Sequence, residues 1–172
     1  MFIGQWLRRA PKRVVFAEGE EEQVIRAAAA FVEQGLGSAL LVGRENRVRE
    51  TAENAGIDLD AGLTVVNARL SRRNPEYAAY LYERLQRRGY LIRDCQRMVN
   101  QDRNVFAACM VACGDADAMV TGLTRSWMVS YGDIALAQSL PIADAHSTVG
   151  AMGIGIGRTL SIGGRFANIG VG

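Results

Sequence analysis

The sequence is poor in the residues on which metal sites and disulfide frameworks depend. It contains 3 cysteines and 1 histidine among 172 residues, so it offers neither a convincing zinc ligand set nor a paired disulfide framework. No apolar run reaches the roughly 18 residues that a membrane span requires. The opening segment, MFIGQWLRRAPKR, lacks the apolar core and cleavage site of a signal peptide. These absences predict a cytoplasmic protein with no membrane association.

Lysine is also almost absent, because Lys12 is the single lysine among 20 basic residues. The arginines alternate with 18 acidic residues to a net charge of +2, so no basic groove and no nucleic-acid partner are expected. Cys109 and Cys113 lie one helical turn apart, as a metal or redox pair could. Small apolar residues on a buried helix face are the favoured interpretation, and no metal or resident cofactor is predicted.

What the sequence does contain is alternation of apolar strands with amphipathic helices. Strands are predicted at 13–17, 38–44 and 63–69, and helices at 20–34 and 45–55 with Gly35 and Gly56 as stops. This order predicts an α/β fold with a largely parallel sheet.

A helical insert is predicted between the third and fourth strands. Its helices are EYAAYLYERLQRRG, entered through Pro75, then IRDCQRMVN and DRNVFAACMVACG. Tyr77, Tyr80, Leu81 and Leu85 form a stripe that resembles an aromatic binding platform, but core or interface packing is favoured.

The fourth strand, Ala118–Val120, leads into the first candidate binding loop. The carboxyl edge of an α/β sheet is where ligands bind. The predicted ligand-binding residues are Thr121, Gly122, Leu123, Thr124, Arg125 and Ser126. The alternative is that Thr121-Gly122 is a tight turn and Arg125 a solvated surface residue, and the sequence leaves both open.

Glu18, Glu20, Glu21 and Glu22 have the composition of a metal site. Consecutive helical residues face different directions and cannot converge on one ion. Stabilisation of the helix N-terminus is therefore the favoured role, although Glu18, at the end of a strand, stays a possible site residue.

Three regions follow from composition: a linker or N-terminal helix at 1–12, an α/β domain at 13–140, and a glycine-rich segment at 141–172. Acidic residues end at Asp144. The stretch GAMGIGIGR matches neither dinucleotide nor P-loop motifs, whereas RTLSIGG is compatible with a strand.

The stretches VVFAEGEEEQVIRAA, LYERLQRRGY and NQDRNVFAACMVACGDADAMVTGLTRS together resemble the phosphotransacetylase-like C-terminal domain of bacterial NADP-dependent malic enzymes, over roughly residues 11 to 137. This resemblance implies a phosphate acyltransferase fold, similar to isopropylmalate dehydrogenases, of which this chain holds the first part. It also implies a malic-enzyme catalytic domain as partner and a homo-oligomer.

The sequence departs from the active phosphotransacetylases at two arginine positions. Their pattern Y-E-L-R-K-H-K-G places an arginine where this chain has Leu85, and a second pattern places another at Gly132. Arginine neutralises and orients phosphate with a planar fork that leucine and glycine lack. Neighbouring Arg84 or Arg125 could substitute, but the register argues against it.

The resemblance implies two functions. The first is a regulatory and oligomerising domain that binds acetyl-CoA as an effector without turnover; the loop 121–126 then lines the pocket, with Arg125 as charge partner and backbone amides as donors. The second is a phosphate acetyltransferase moving acetyl between CoA and phosphate. A third possibility is a segment that only packs and has no activity of its own.

Overall fold

The computed structural model of this chain describes residues 11–59, 62–138, 159–162 and 165–168. Its strands are β1 (Lys12–Phe16), β2 (Gly37–Val42), β3 (Leu63–Val66), β4 (Ala118–Thr121), β5 (Thr159–Ile162) and β6 (Arg165–Asn168). Its helices are α1 (Glu22–Glu33), α2 (Glu45–Ala55), α3 (Asn74–Leu85), α4 (Ile92–Gln101), α5 (Arg103–Ala112) and α6 (Trp127–Ala137). The predicted α/β architecture is confirmed.

The sheet has the strand order β3-β2-β1-β4-β5-β6. The first four strands are parallel, and β5 and β6 add an antiparallel edge. The chain runs outward from β1 to β3 and then returns to place β4 on the other side of β1. The crevice between β1 and β4 is therefore a topological switch point, the place where open α/β sheets bind their ligands.

Alternation along β1 divides the core into two layers. Val14 and Phe16 pack on one face of the sheet with Ile25 of α1, and Val15 packs on the other face with Phe106 of α5. Successive strand residues point to opposite faces, so a strand buried on both sides reads as a continuous apolar run. This arrangement explains why RVVF predicts a central strand.

The predicted helical insert is present as α3, α4 and α5, and its aromatic stripe belongs to the core. Tyr77, Leu81 and Leu85 are at most 2% exposed, and the rings of Tyr77 and Phe106 meet edge to face at 5.4 Å. The platform interpretation is therefore set aside. Cys109 is likewise fully buried, as expected of a core residue.

Glycine ends two helices at the predicted positions. Gly35, just beyond α1, has φ 68°, and Gly56 at the end of α2 has φ 69°, a left-handed conformation that L side chains rarely adopt. The helix α6 was not predicted. Its sequence, WMVSYGDIALA, contains Gly132 in its interior and lacks a clear apolar face.

Parts of the predicted regions lie outside the described residues. The segment 1–10 and most of the glycine-rich segment, including GAMGIGI, belong to these. Within that segment, β5 lies inside the predicted strand RTLSIGG and pairs antiparallel with β4 from Ala118↔Ile162 to Thr121↔Thr159. In the part of the chain described, no helix is long and apolar enough to cross a bilayer.

Candidate functional site at the carboxyl ends of β1 and β4

Two loops meet at the switch point of the sheet. One is the turn after β1, which carries Glu18, and the other is the loop 122–126 after β4. Glu18 is 5% exposed, although charged side chains are seldom buried without partners. Its burial therefore requires an explanation from the second loop.

The carboxylate of Glu18 is held by the backbone of that loop. Its Oε2 accepts hydrogen bonds from the amides of Gly122 at 3.1 Å and Leu123 at 2.7 Å, and its Oε1 accepts one from the amide of Thr124 at 2.9 Å. The Thr124 hydroxyl donates a fourth. Burial alone raises the pKa of Glu18, but these hydrogen bonds outweigh it and hold the pKa below its usual value. Glu18 is thus an ionised carboxylate that accepts hydrogen bonds from three backbone N–H groups and one hydroxyl.

This contact changes the role expected of the loop. The amides of residues 122–124 are predicted donors for a ligand, yet here they donate to Glu18. An anion could use them only by displacing that carboxylate. The role proposed for Glu18 in stabilising the helix N-terminus is wrong, because its side chain binds the loop after β4 and α1 begins only at Glu22.

Thr121 begins a polar chain that runs into the helical layer. Its Oγ1 donates to the Oδ1 of Asn104 at 2.6 Å, and the Asn104 Nδ2 donates to Asp133 at 3.3 Å. Thr121 and Asn104 are both buried. Buried polar groups cost free energy unless they are hydrogen-bonded, so this pairing secures the end of β4 against α5.

Arg125 lies between two carboxylates. Its Nη1 donates to Oδ2 of Asp102 at 2.6 Å and to Oδ2 of Asp133 at 2.9 Å. Burial and the nearby charge of Asp102 raise the pKa of Asp133, although Asn104 and Arg125 oppose that shift. With both carboxylates ionised, the three groups carry a net charge of −1. Arg125 is therefore not a free cation that could neutralise a phosphate.

A small cavity of about 140 Å³ opens beside these loops, between α1 and the end of β4. The helix contributes Val24 and Ala27, and the loop contributes Gly122 and Leu123. Most of this lining is apolar, with the Glu18 carboxylate at one side. Leu123 is 41% exposed, so its side chain is accessible to a ligand or a partner.

The structure places all six predicted site residues in one continuous stretch, from the last residue of β4 to the loop that follows it, but several of their polar groups already have protein partners. Asp102, Asn104 and Asp133 were not predicted as site residues. Asp102 does have a sequence signal, since an aspartate before the helical run RNVF is typical of an N-cap, and it accepts from the amides of Asn104 and Val105. No local sequence pattern marks Asp133 as a site residue. Among the described residues, no cluster of His, Cys, Asp and Glu could hold a metal ion.

Comparison with known proteins assigns this architecture to a family. The model of the Phosphate acetyl/butaryl transferase family matches residues 2–150. The NADP-dependent malic enzyme of Rhizobium meliloti is 61% identical over 133 residues, which are 77% of this chain and 18% of that enzyme. A phosphate acetyltransferase of Nitratidesulfovibrio vulgaris is 35% identical over 115 residues, 67% of this chain and 16% of that protein.

A solved structure agrees with the sequence matches. The phosphotransacetylase from Streptococcus pyogenes superimposes with a TM-score of 0.65 at 28% identity, and the match covers 80% of this chain and 42% of that one. The chain thus spans less than half of a solved phosphotransacetylase and about a fifth of a malic enzyme, as the resemblance implied. The expected similarity to isopropylmalate dehydrogenases stays a prediction. The chain belongs to the Phosphate acetyl/butaryl transferase family and is similar to the phosphotransacetylase-like part of NADP-dependent malic enzymes.

Proposed function

We propose that this chain is the regulatory and assembly part of an NADP-dependent malic enzyme, and that it binds acetyl-CoA as an effector without transferring the acetyl group. The similarity to a malic enzyme at 61% identity supports the larger context. In that context, oxidative decarboxylation of malate belongs to a catalytic domain outside the matched region.

The proposal rests on the residues that occupy the two positions where active phosphotransacetylases have arginine, Leu85 and Gly132. Leu85 is 2% exposed and packs in the core beneath α5. Gly132, on α6, has no side chain, and apart from its own helix no atom of the described residues lies within 4 Å of where a Cβ would be. Acyl transfer to phosphate needs cations placed at the developing charge. Neither position supplies one.

Arg84 is a weak substitute for the missing arginines. Its guanidinium lies over the ring of Tyr80 at 5.5 Å and donates to the carbonyl of Leu136 at 3.5 Å. Arg125 is held by Asp102 and Asp133. Both nearby arginines are therefore engaged within the protein, which favours binding without catalysis.

The cavity beside the loop 121–126 is the proposed position of the acyl end of acetyl-CoA. An acetyl thioester is small and mostly apolar, so it suits a lining of Val24, Ala27 and Leu123 better than the solvated surface. The exposed Thr124 and Ser126 belong to the same loop. Because Arg125 is neutralised, its contribution is to fix the loop and not to bind the CoA phosphates.

An apolar surface supports the assembly part of the proposal. Leu123 in the loop 121–126 and Met128 and Val129 in the first turn of α6 are 41%, 63% and 49% exposed. Exposed apolar groups of this kind are common at protein interfaces. We expect a second copy or the catalytic domain of the malic enzyme to cover them.

The test is a calorimetric titration of acetyl-CoA into the purified chain and into two alanine-to-leucine variants of α1. Ala27→Leu fills the cavity and is expected to abolish binding. Ala30→Leu makes the same change on the same helix outside the cavity and is expected to leave binding intact. Thermal unfolding of both variants checks that they fold. Equal binding by wild type and Ala27→Leu would place acetyl-CoA elsewhere, and no binding by any of them would favour a segment that only packs.

The alternative function is phosphate acetyltransferase activity, which the 35% identity to such an enzyme favours. It predicts release of free CoA thiol from acetyl-CoA in the presence of phosphate. We expect no phosphate-dependent release. Turnover that rises with phosphate concentration would overturn the regulatory proposal in favour of catalysis.

A further inference from the structure

A second pocket lies further along the same edge of the sheet, at the carboxyl ends of β2 and β3. Its volume is about 300 Å³. It lies on the far side of the β1–α1 turn from the loop 121–126, so it is separate from the cavity beside Leu123. The polar residues that line it include Glu20, Arg44, Asn67, Arg69, Asn100 and Arg103.

Glu20 gathers two arginines at this pocket. The Arg44 guanidinium binds its carboxylate in bidentate fashion, with Nε donating to Oε1 at 3.0 Å and Nη2 donating to Oε2 at 3.1 Å. The Arg44 backbone amide also donates to Oε1, at 2.9 Å. Arg103 approaches Oε2 at 3.6 Å. A single carboxylate thus holds two guanidinium groups side by side and leaves them a net charge of +1.

Arg69 adds a third guanidinium. It is exposed and forms no ion pair with a carboxylate among the residues that the structure describes. Glu20 is the one acidic residue in the pocket lining, so the lining carries a net charge of +2. The candidate site at the carboxyl ends of β1 and β4 does not account for this excess of positive charge.

The two asparagines add neutral donors because their acceptor oxygens are already used. The Oδ1 of Asn67 accepts from the Arg69 amide at 3.0 Å, and the Oδ1 of Asn100 accepts from Asn74 at 2.6 Å. Each keeps an NH₂ group with no hydrogen-bond partner in the described part of the chain. The pocket therefore offers donors and cations, with its one carboxylate already bound.

A glycine makes the arrangement sterically possible. A Cβ on Gly43, at the end of β2, would lie 2.8 Å from the Cγ of Glu20 and 2.9 Å from the Cγ2 of Val48. Real Cβ atoms do not approach so closely, so a larger residue at this position would force the side chain of Glu20, of Val48 or of both to shift. Glu20 is a positioning residue that holds Arg44 and Arg103 in a fixed relation.

We propose that this pocket binds the phosphate or diphosphate group of a small ligand. Guanidinium groups bind phosphate oxygens in bidentate fashion, and a lining of donors with one occupied carboxylate selects an anion over a cation. The carboxyl ends of parallel strands are also where α/β sheets hold such groups. The proposal stands whether or not acetyl-CoA binds beside Leu123.

The test is a calorimetric titration of inorganic pyrophosphate into the 172-residue chain and into two variants that remove one positive charge each. Arg69→Met, within the pocket, is expected to weaken binding by about tenfold or more. Arg72→Met removes an exposed charge outside the lining and is expected to change binding by less than about threefold, since a charge with no direct contact to the ligand acts only through a screened field. Absence of pyrophosphate binding, or equal weakening by both variants, would overturn the proposal.

A competition arm identifies the source of the phosphate. Displacement of pyrophosphate by acetyl-CoA, together with weaker acetyl-CoA binding by Arg69→Met, would show that the phosphates of acetyl-CoA occupy the pocket. Pyrophosphate binding that acetyl-CoA leaves unchanged would assign the pocket to a different phosphate-bearing ligand. Ala27→Leu separates the two proposals, because it blocks the cavity beside Leu123 and leaves the arginine pocket intact.

Discussion

Glu18 and Thr124 are 106 residues apart in the chain, yet the carboxylate of the first accepts both the amide and the hydroxyl of the second. With the amides of Gly122 and Leu123, this contact fixes the turn after β4 to the turn after β1. The geometry of the candidate loop therefore depends on a residue outside it.

Replacing Glu18 with glutamine tests this dependence. Glutamine presents one neutral acceptor oxygen where the carboxylate presents two charged ones, so some of the part-buried donors lose a partner. We expect Glu18→Gln to lower the free energy of unfolding by about 1 to 3 kcal/mol. Glu22→Gln is the matched control, because it alters an exposed pair with Arg26 and should cost less than about 1 kcal/mol. Urea denaturation measures both, and equal losses would contradict the prediction.

Stability should fall in acid through Glu20. The hydrogen bonds from Arg44 lower the pKa of Glu20 to about 2, against the opposing effect of burial. A carboxylate with a lowered pKa contributes stability that is present above its unfolded pKa and is lost as the pH falls towards the folded pKa. We therefore expect the loss below about pH 4.5, where unfolded glutamate begins to protonate.

The variant Glu20→Gln identifies how much of this acid effect belongs to Glu20. It should be less stable than wild type near neutral pH and should lose less on acidification, since it has no carboxylate to protonate there. Urea denaturation at a series of pH values gives the free energy of unfolding as a function of pH for wild type and for the variant. If the free energy of unfolding falls equally steeply with acidification in both proteins, the acid effect belongs to other carboxylates.

Asp102 serves two elements at once, so its removal should be costly. Its Oδ1 accepts from the amides of Asn104 and Val105 at the start of α5, and its Oδ2 binds Arg125. We expect Asp102→Ala to destabilise the protein by about 1 to 2 kcal/mol through the lost cap.

Asp102→Asn separates the two roles, because asparagine is an equally good cap but carries no charge. It should restore most of the stability lost in Asp102→Ala, as measured by thermal unfolding. If the asparagine variant is as unstable as the alanine variant, the ion pair with Arg125 and not the cap is the main contribution.

Two glycine-to-alanine changes should alter the stability of the protein in opposite directions. Gly43→Ala forces a Cβ to within 2.8 Å of Glu20 and should destabilise the protein by about 1 to 3 kcal/mol. Gly132→Ala lies inside α6 and would meet no described residue outside its own helix within 4 Å, so better helix propensity should stabilise the protein by up to about 1 kcal/mol. Melting temperatures that move in the same direction would contradict this reading of the two sites.

The sequence predicted the parallel strands and the helical insert well, because a strand buried on both faces and a helix ended by glycine have strong local signals. Gly35 and Gly56 are examples. It did not predict α6, since Gly132 is a poor helix former in the middle of that helix and the apolar residues of the helix lie on more than one face. It also did not predict that Glu18 would occupy the loop amides or that Asp133 would bind Arg125. Those contacts join residues distant in sequence, so no local pattern encodes them.

The central position of β1 has a consequence for how the chain reaches its native state. The amide of Arg13 donates to Asp117 across 104 residues, and β1 pairs with both β2 and β4. During synthesis β1 can pair early with β2, but its other edge stays open until the insert and β4 have been made. Such long-range pairing slows folding and leaves an unpaired strand edge in partly folded chains. Of the described strands, β1 is synthesised first, yet its pairing is completed only after β4 has been made, and its open edge can mispair until then.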